Sequence, residues 1–159
     1  MTTTTDPTTI DVDSEVPAVR ITREFDAPPE RVFRAHTDPA LFAQWAGPRQ
    51  YTTDIIEYEA TAGGRWQYVS RGKGGEAYGF RGVFHTVEPN TRIIQTFEFD
   101  GAPGQVSLGT LTLEEVDGRT RLAIHEVYPS VEARDAAVAS GMEHGVNEGY
   151  ERLDELLAR

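Results

Sequence analysis

The chain has 159 residues, enough for a single domain with a core of its own, and 38% of them are hydrophobic. Its 26 Asp and Glu against 15 Lys and Arg give a formal charge of −11, which argues against a nucleic-acid binder and against docking on an anionic membrane. There is no cysteine, so disulfides, thiolate nucleophiles and cysteine metal sites are excluded, and no apolar run approaches the ~20 residues of a membrane span; a soluble, cytoplasmic protein is expected.

In chain order, residues 1–17 are Thr-rich, with four carboxylates, two prolines and no cation, and are expected to form a disordered acidic tail. The ordered domain is expected over 18–159. It begins with a strand carrying Val19, Ile21 and Phe25. Asp26-Ala-Pro-Pro-Glu30 then reads as a helix start, and a helix is predicted over 29–36. Asp38-Pro39 opens a second short helix with Leu41, Phe42 and Trp45 on its buried side, and Gly47-Pro48 stops it. From 51 to 128 the pattern is strands and turns: 51–59, 65–71, 80–88, 92–99, 105–116 and 119–128. Arg65 to Arg71 alternates, with Trp66, Tyr68 and Ser70 on one face and Arg65, Gln67 and Arg71 on the other. Asp117-Gly118 is a strong hairpin signal.

Ser130 opens the closing helical stretch, which Gly141 bends or interrupts. Met142, Val146, Gly149, Leu153 and Leu156 share one face of its last part. Gly141, Gly145 and Gly149 recur four apart, and each interior glycine costs roughly 1 kcal/mol relative to alanine. That side is therefore expected to approach something closely or to leave room for it. One strand, two short helices, six strands and a long helix make an α+β arrangement, with a seven-stranded antiparallel sheet curling around the last helix.

This order resembles the helix-grip fold of the START-like, SRPBCC superfamily, which includes the birch-pollen allergen. Within it the chain is similar to single-domain bacterial homologues of the activator of heat-shock-protein-90 ATPase. The residues that carry the resemblance include Ala27-Pro-Pro-Glu-Arg-Val-Phe33, Trp45-Ala-Gly-Pro48, Gly63-Gly-Arg-Trp66, Phe80-Arg-Gly-Val83, Thr96-Phe-Glu-Phe99 and Gly141-Met-Glu-His-Gly145. The resemblance implies a cavity between the concave sheet face and the last helix, of the kind used across the superfamily for hydrophobic ligands. The family has no single catalytic signature, so no catalytic residue is assigned.

The candidate ligand-binding residues are Trp45, Trp66, Tyr68, Phe80, Phe84, Glu98, Met142, Val146 and Tyr150. The aromatic ones offer apolar area with polar handles, although each alone could be ordinary core. Strand alternation turns Glu98 outward between Phe97 and Phe99, whereas the resemblance places the Thr96–Glu98 face nearer the cavity, and both orientations stand open. His125 and Glu126 point to opposite faces and do not act as a pair. His36 and His85 are isolated, and no metal or other cofactor is expected. Gly72-x-Gly-Gly joins two strands and is a hairpin loop rather than a phosphate cradle.

Three functions follow. The first is a binding protein for a hydrophobic small molecule, aromatic or lipid-like, as a monomer or homodimer. The second is a cyclase- or dehydratase-type enzyme in which Glu98, Tyr68 or Tyr150 moves a proton. The third is a co-chaperone stimulating a heat-shock-protein ATPase, disfavoured because the eukaryotic activators carry an added N-terminal domain.

Overall fold

Eight strands and four helices make up residues 8–159, the part of the chain that the computed structural model describes. Strands β1 (Thr8–Val12) and β2 (Ala18–Phe25) precede helices α1 (Pro29–Thr37) and α2 (Pro39–Trp45). Strands β3 (Tyr51–Tyr58), β4 (Arg65–Gly72), β5 (Ala77–Glu88), β6 (Arg92–Phe99), β7 (Ser107–Val116) and β8 (Arg119–Val127) follow. The chain closes with α3 (Val131–Ala139) and α4 (Met142–Leu157). All strand pairs are antiparallel, in the order β1-β2-β8-β7-β6-β5-β4-β3. The pair α1–α2 thus carries the chain from beside β8 to the far edge at β3, from which the strands meander back.

Local chemistry sets the boundaries. Asp38 caps α2 by accepting the Ala40 N–H at 2.9 Å, and Ser130 caps α3 by accepting that of Ala133 at 3.0 Å. Asp117 and Gly118 take φ of 54° and 79°, the primed turn that the hairpin between β7 and β8 requires. Gly141, at φ 98°, separates α3 from α4 as an interruption rather than a bend.

Two expectations are corrected. The sheet has eight strands rather than seven, because part of the expected tail is β1. It pairs with β2 through Ile10↔Ile21 and Val12↔Val19, and Ile10 packs on the core. The turn after β1 is held by its own side chain and by α3. The Asp13 carboxylate accepts the N–H groups of Glu15 (2.8 Å) and Val16 (3.0 Å), and the buried Arg134 donates to the carbonyls of Asp13 and Val16. Residues 1–7 of that expected tail lie outside the described residues.

The second correction concerns the glycines of α4. Gly149 and Gly145 face the connection between α2 and β3, not the sheet. A Cβ on Gly149 would lie 3.4 Å from the Trp45 carbonyl oxygen and the Gly47 nitrogen, and one on Gly145 would lie 3.7 Å from Pro48. One turn on, the Arg152 guanidinium donates to the carbonyls of Gln44 (2.9 Å) and Gly47 (3.0 Å) and more loosely to those of Ala46 and Pro48. The glycine spacing serves close docking of a helix on a loop.

The inward face of the sheet is read in rows across the strands. Ile21, Ile124, Leu111, Ile93 and Val87 form one apolar row from β2 to β5. Toward α1 the face is closed by Phe25, Leu113 and Leu122 against Val32, Ala35, Tyr150 and Leu153, all buried. Arg23 also points inward, with its guanidinium 4.8 Å from the Phe25 ring and 5.7 Å from that of Tyr150, and makes a paired hydrogen bond to Asp154 at 2.7 and 2.8 Å. No described helix is long and apolar enough to cross a membrane.

Because a side chain at Gly145 would meet only the edge of the Pro48 ring, whereas one at buried Gly149 would run into backbone already 3.4 Å from its Cβ, their substitutions should separate. Gly145→Ala should raise the melting temperature, through a helix-propensity gain of about 0.5–1 kcal/mol. Gly149→Leu should lower it by wedging α4 off Trp45 and Gly47. Thermal denaturation followed by circular dichroism checks both, and equal effects would contradict this docking.

Candidate functional site

The end of the sheet away from α1 is covered less completely. Met142 and Val146, in the first half of α4, are only half-buried, whereas Tyr150, Leu153 and Leu157 in its second half are buried. On the sheet, inward side chains are likewise half-buried: Tyr68 on β4, Phe80 on β5, Gln95, Phe97 and Phe99 on β6, and Ile124 and Glu126 on β8. Helix α4 and the sheet each grade from filled core to a half-buried end, and the half-buried inner face of the sheet is called the cleft below. Two open hollows of about 360 and about 310 Å³ lie elsewhere, one among Pro28–Glu30, Asn90, Thr91, Leu113 and Glu115, the other along β1, β2 and β8. Neither lies between α4 and the sheet.

Aromatic rings form the floor of the cleft. Tyr68 stacks on Trp66 at 5.5 Å and meets Phe80 at 5.3 Å; Phe80 in turn contacts Phe97 at 5.4 Å and Phe99 at 5.3 Å. Phe42, from α2, closes one side with its ring 5.5 Å from that of Tyr68. Trp66 reaches its place because Gly82 opposite has no side chain, since a Cβ there would sit 2.6 Å from the indole nitrogen. That nitrogen is buried with no hydrogen-bond partner.

One row from the apolar row of isoleucines and leucines, the same face carries Val19, Glu126, Gly109, Gln95 and Phe84 in register across five strands. Gly109 makes room for its neighbour, because a Cβ there would collide with Glu126 Oε1. Ser107 Oγ donates to Glu126 Oε2 at 2.5 Å. Burial of the carboxylate among apolar groups raises the Glu126 pKa to about 7, and the Ser107 hydrogen bond only partly opposes this. Burial also raises the phenols of Tyr68, Tyr128 and Tyr150, so they stay protonated. Among the described residues their hydroxyls have no hydrogen-bond partner, although each neighbours the cleft. His36, behind Trp45, is a different case. Its Nδ1 donates to the Val32 carbonyl at 2.8 Å, its Nε2 is buried without a partner, and burial lowers its pKa to about 4, so it is neutral.

The candidates from sequence therefore divide. Tyr68 and Phe80 meet on the half-buried inner face of the sheet, beside Trp66, and Met142 and Val146 lie half-buried at the start of α4, packed on the main core. Trp66 and Tyr150 are both buried. Trp45 and Phe84 are core: the Trp45 indole donates to the Ala35 carbonyl at 2.9 Å and stacks on Tyr150, while Phe84 is 0% exposed. Glu98 is turned to the opposite face and is corrected out of the site. It pairs across the strands with Arg81 (3.4 Å) and accepts the Gly104 N–H at 2.8 Å. The Gly104 bond first and Arg81 second lower its pKa, so it does not offer a proton near neutrality. Glu126, Gln95, Phe97 and Phe99 were missed, although Leu122, Ile124 and Glu126 alternate along one strand, as do Ile93, Gln95 and Phe97 along another. Among the described residues no three His, Asp or Glu converge as a metal-binding group.

Comparison with known proteins fits this geometry. Residues 26–158 match the family model described as Activator of Hsp90 ATPase homolog 1-like protein. A crystal structure of a Rhodobacter sphaeroides protein is 34% identical, with a TM-score of 0.87 over 95% of this chain and 98% of that one. A crystal structure from Mycobacterium smegmatis (26% identical, covering 95% and 97%) and a solution structure from Arthrobacter aurescens (29%, covering 94% and 91%) give the same TM-score of 0.87. No curated protein matches the chain.

A carboxyl group that is desolvated on folding holds its proton more tightly in the folded state, so its contribution to stability falls as pH rises from about 4.5 through about 7. Glu126→Gln removes that loss. The variant should gain on the wild type across this window by at most about 1.4 kcal/mol per pH unit, and the difference should level off above it. Chemical denaturation at pH 4.5 and pH 8 measures the gap, and a pH-independent difference would mean that the carboxylate is solvated.

Proposed function

The chain belongs to the Activator of Hsp90 ATPase homolog 1-like family, and from that premise we propose that it is a binding protein for a hydrophobic small molecule, aromatic or lipid-like, held between the first half of α4 and the open end of the sheet. One observation carries this reading. Inward-facing groups are half-buried both on the first half of α4 and on the sheet from β4 to β8, so the incomplete cover is not the property of one side chain. A protein needing only a core would bring the two together there and gain about 25 cal/mol for each Å² of apolar surface removed from water.

The lining suits such a ligand. Tyr68, Phe80 and Phe97 present ring faces, and Gln95, Glu126 and the tyrosine hydroxyls supply a small number of polar contacts on an otherwise apolar surface. A ligand enters by spreading half-buried side chains and the start of α4, whose first turn follows the left-handed Gly141. The family description also fits a relation to a chaperone; the inward aromatic set favours the small molecule.

A fluorescence titration with diphenylhexatriene, an uncharged aromatic hydrocarbon, tests the proposal. Val146→Trp should fill the cleft and weaken binding by at least about tenfold, which is 1.4 kcal/mol, without changing the circular dichroism spectrum. Glu98→Gln, on the outer face, should bind as the wild type does. Undiminished binding in Val146→Trp would place the hydrocarbon elsewhere and sink the reading.

A further inference from the structure

The polar groups of the cleft are unequal in sign. Glu126 is the charged type facing it, from β8; Ser107 and Gly109 on β7, Val19 on β2, Gln95 on β6 and Tyr150 on α4 surround that carboxyl without a cation among them. The nearest inward cation, Arg23, is two rows toward α1 and already engaged by Asp154 and by Thr8 Oγ1 at 3.0 Å. Arg152 is spent on the carbonyls of residues 44–48, and Arg49 donates to Glu155. The chain's single lysine, Lys73, is exposed in the β4–β5 loop.

The carboxyl itself is half-used. Oε2 accepts from Ser107, while Oε1 has no hydrogen bond among the described residues and sits over the bare backbone of Gly109. Because Oε1 is not sealed from solvent, a ligand's donor can reach it, and a hydrogen bond to a carboxylate is stronger than one between neutral groups. A ligand carboxylate there would instead meet a second carboxyl with no cation to separate them. The ring of Phe97, which pairs across the ladder with the Ser107 that bonds Glu126, adds a negative face nearby, and Phe80 extends it at 5.4 Å; such faces attract a cation as well as apolar carbon. The net charge of −11 draws cations toward the molecule from a distance.

We infer that the ligand of this cleft is an amine on an apolar, aromatic body, with its N–H donors received by Glu126 Oε1 and its rings lying toward Phe97 and Phe80. Glu126 is then the residue that selects amines against carboxylic acids of the same shape. This rests on the cleft being the binding site.

Isothermal titration calorimetry at pH 7.5 with naphthylmethylamine, naphthalenemethanol and naphthoic acid, which share one apolar body, separates the two claims. The amine is expected to bind the wild type at least about tenfold more tightly than the alcohol, and the acid most weakly. In Glu126→Gln, which keeps the side chain's shape, the amine's advantage over the alcohol should fall to within about threefold. An acid that binds as well as the amine, or an advantage that survives Glu126→Gln, overturns the inference and leaves the cleft reading standing. No binding of any of the three to the wild type, with diphenylhexatriene also failing to bind, overturns both.

Discussion

The open end of this molecule depends on how firmly α4 is fixed at its other end. Two guanidinium groups do most of that work. Arg23 is buried between two aromatic rings and needs Asp154 of α4 to satisfy it, and Arg152 of α4 needs the carbonyls that end α2. A buried guanidinium cannot be left without acceptors except at a cost of several kcal/mol. The second half of α4 is therefore held in one position by both the sheet and the α2–β3 connection, with Gly149 allowing the close approach. Met142 and Val146 pack on the edge of the main core without such anchors and stay half-buried.

Two glutamates show how much a strand's facing decides. Glu98 and Glu126 both lie in strands among apolar residues, with one strand between theirs in the sheet order. Glu98 faces outward, where a backbone N–H and an arginine favour its ionised form and lower its pKa. Glu126 faces inward, where desolvation raises it to about 7. Their opposite acidities come from position alone. A desolvated carboxyl costs the folded state stability at neutral pH rather than adding to it.

Composition concealed β1. A Thr-rich, acidic segment reads as too polar to fold, yet threonine is β-branched and suits a strand, and at the edge of a sheet one inward isoleucine with a ladder of backbone bonds suffices. The glycines of α4 were visible as an exception to helix propensity, and their meaning was ambiguous because close approach and open space both call for a missing side chain. Only the position of Pro48, Gly47 and Trp45 beside them distinguishes the two. Among the aromatics, Trp45 and Trp66 look alike in sequence. One closes the main core through a hydrogen bond to Ala35, and the other lies over Gly82 at the edge of the cleft.

The sequence by itself determined the α+β class, the order of the elements and the turns at Asp117-Gly118 and Gly141, because these rest on residues close together in the chain; the helix-grip fold came from the family resemblance. Periodicity, caps and left-handed positions are local properties. The tertiary structure decided which carboxylate is desolvated, which aromatics remain uncovered and what the glycines approach. Those depend on the register of strands far apart in sequence and on the seat of α4, where a shift of one residue along a strand exchanges the inner face for the outer. The fold was legible from the chain; the chemistry of its cleft was settled by which face each strand turned to the helix.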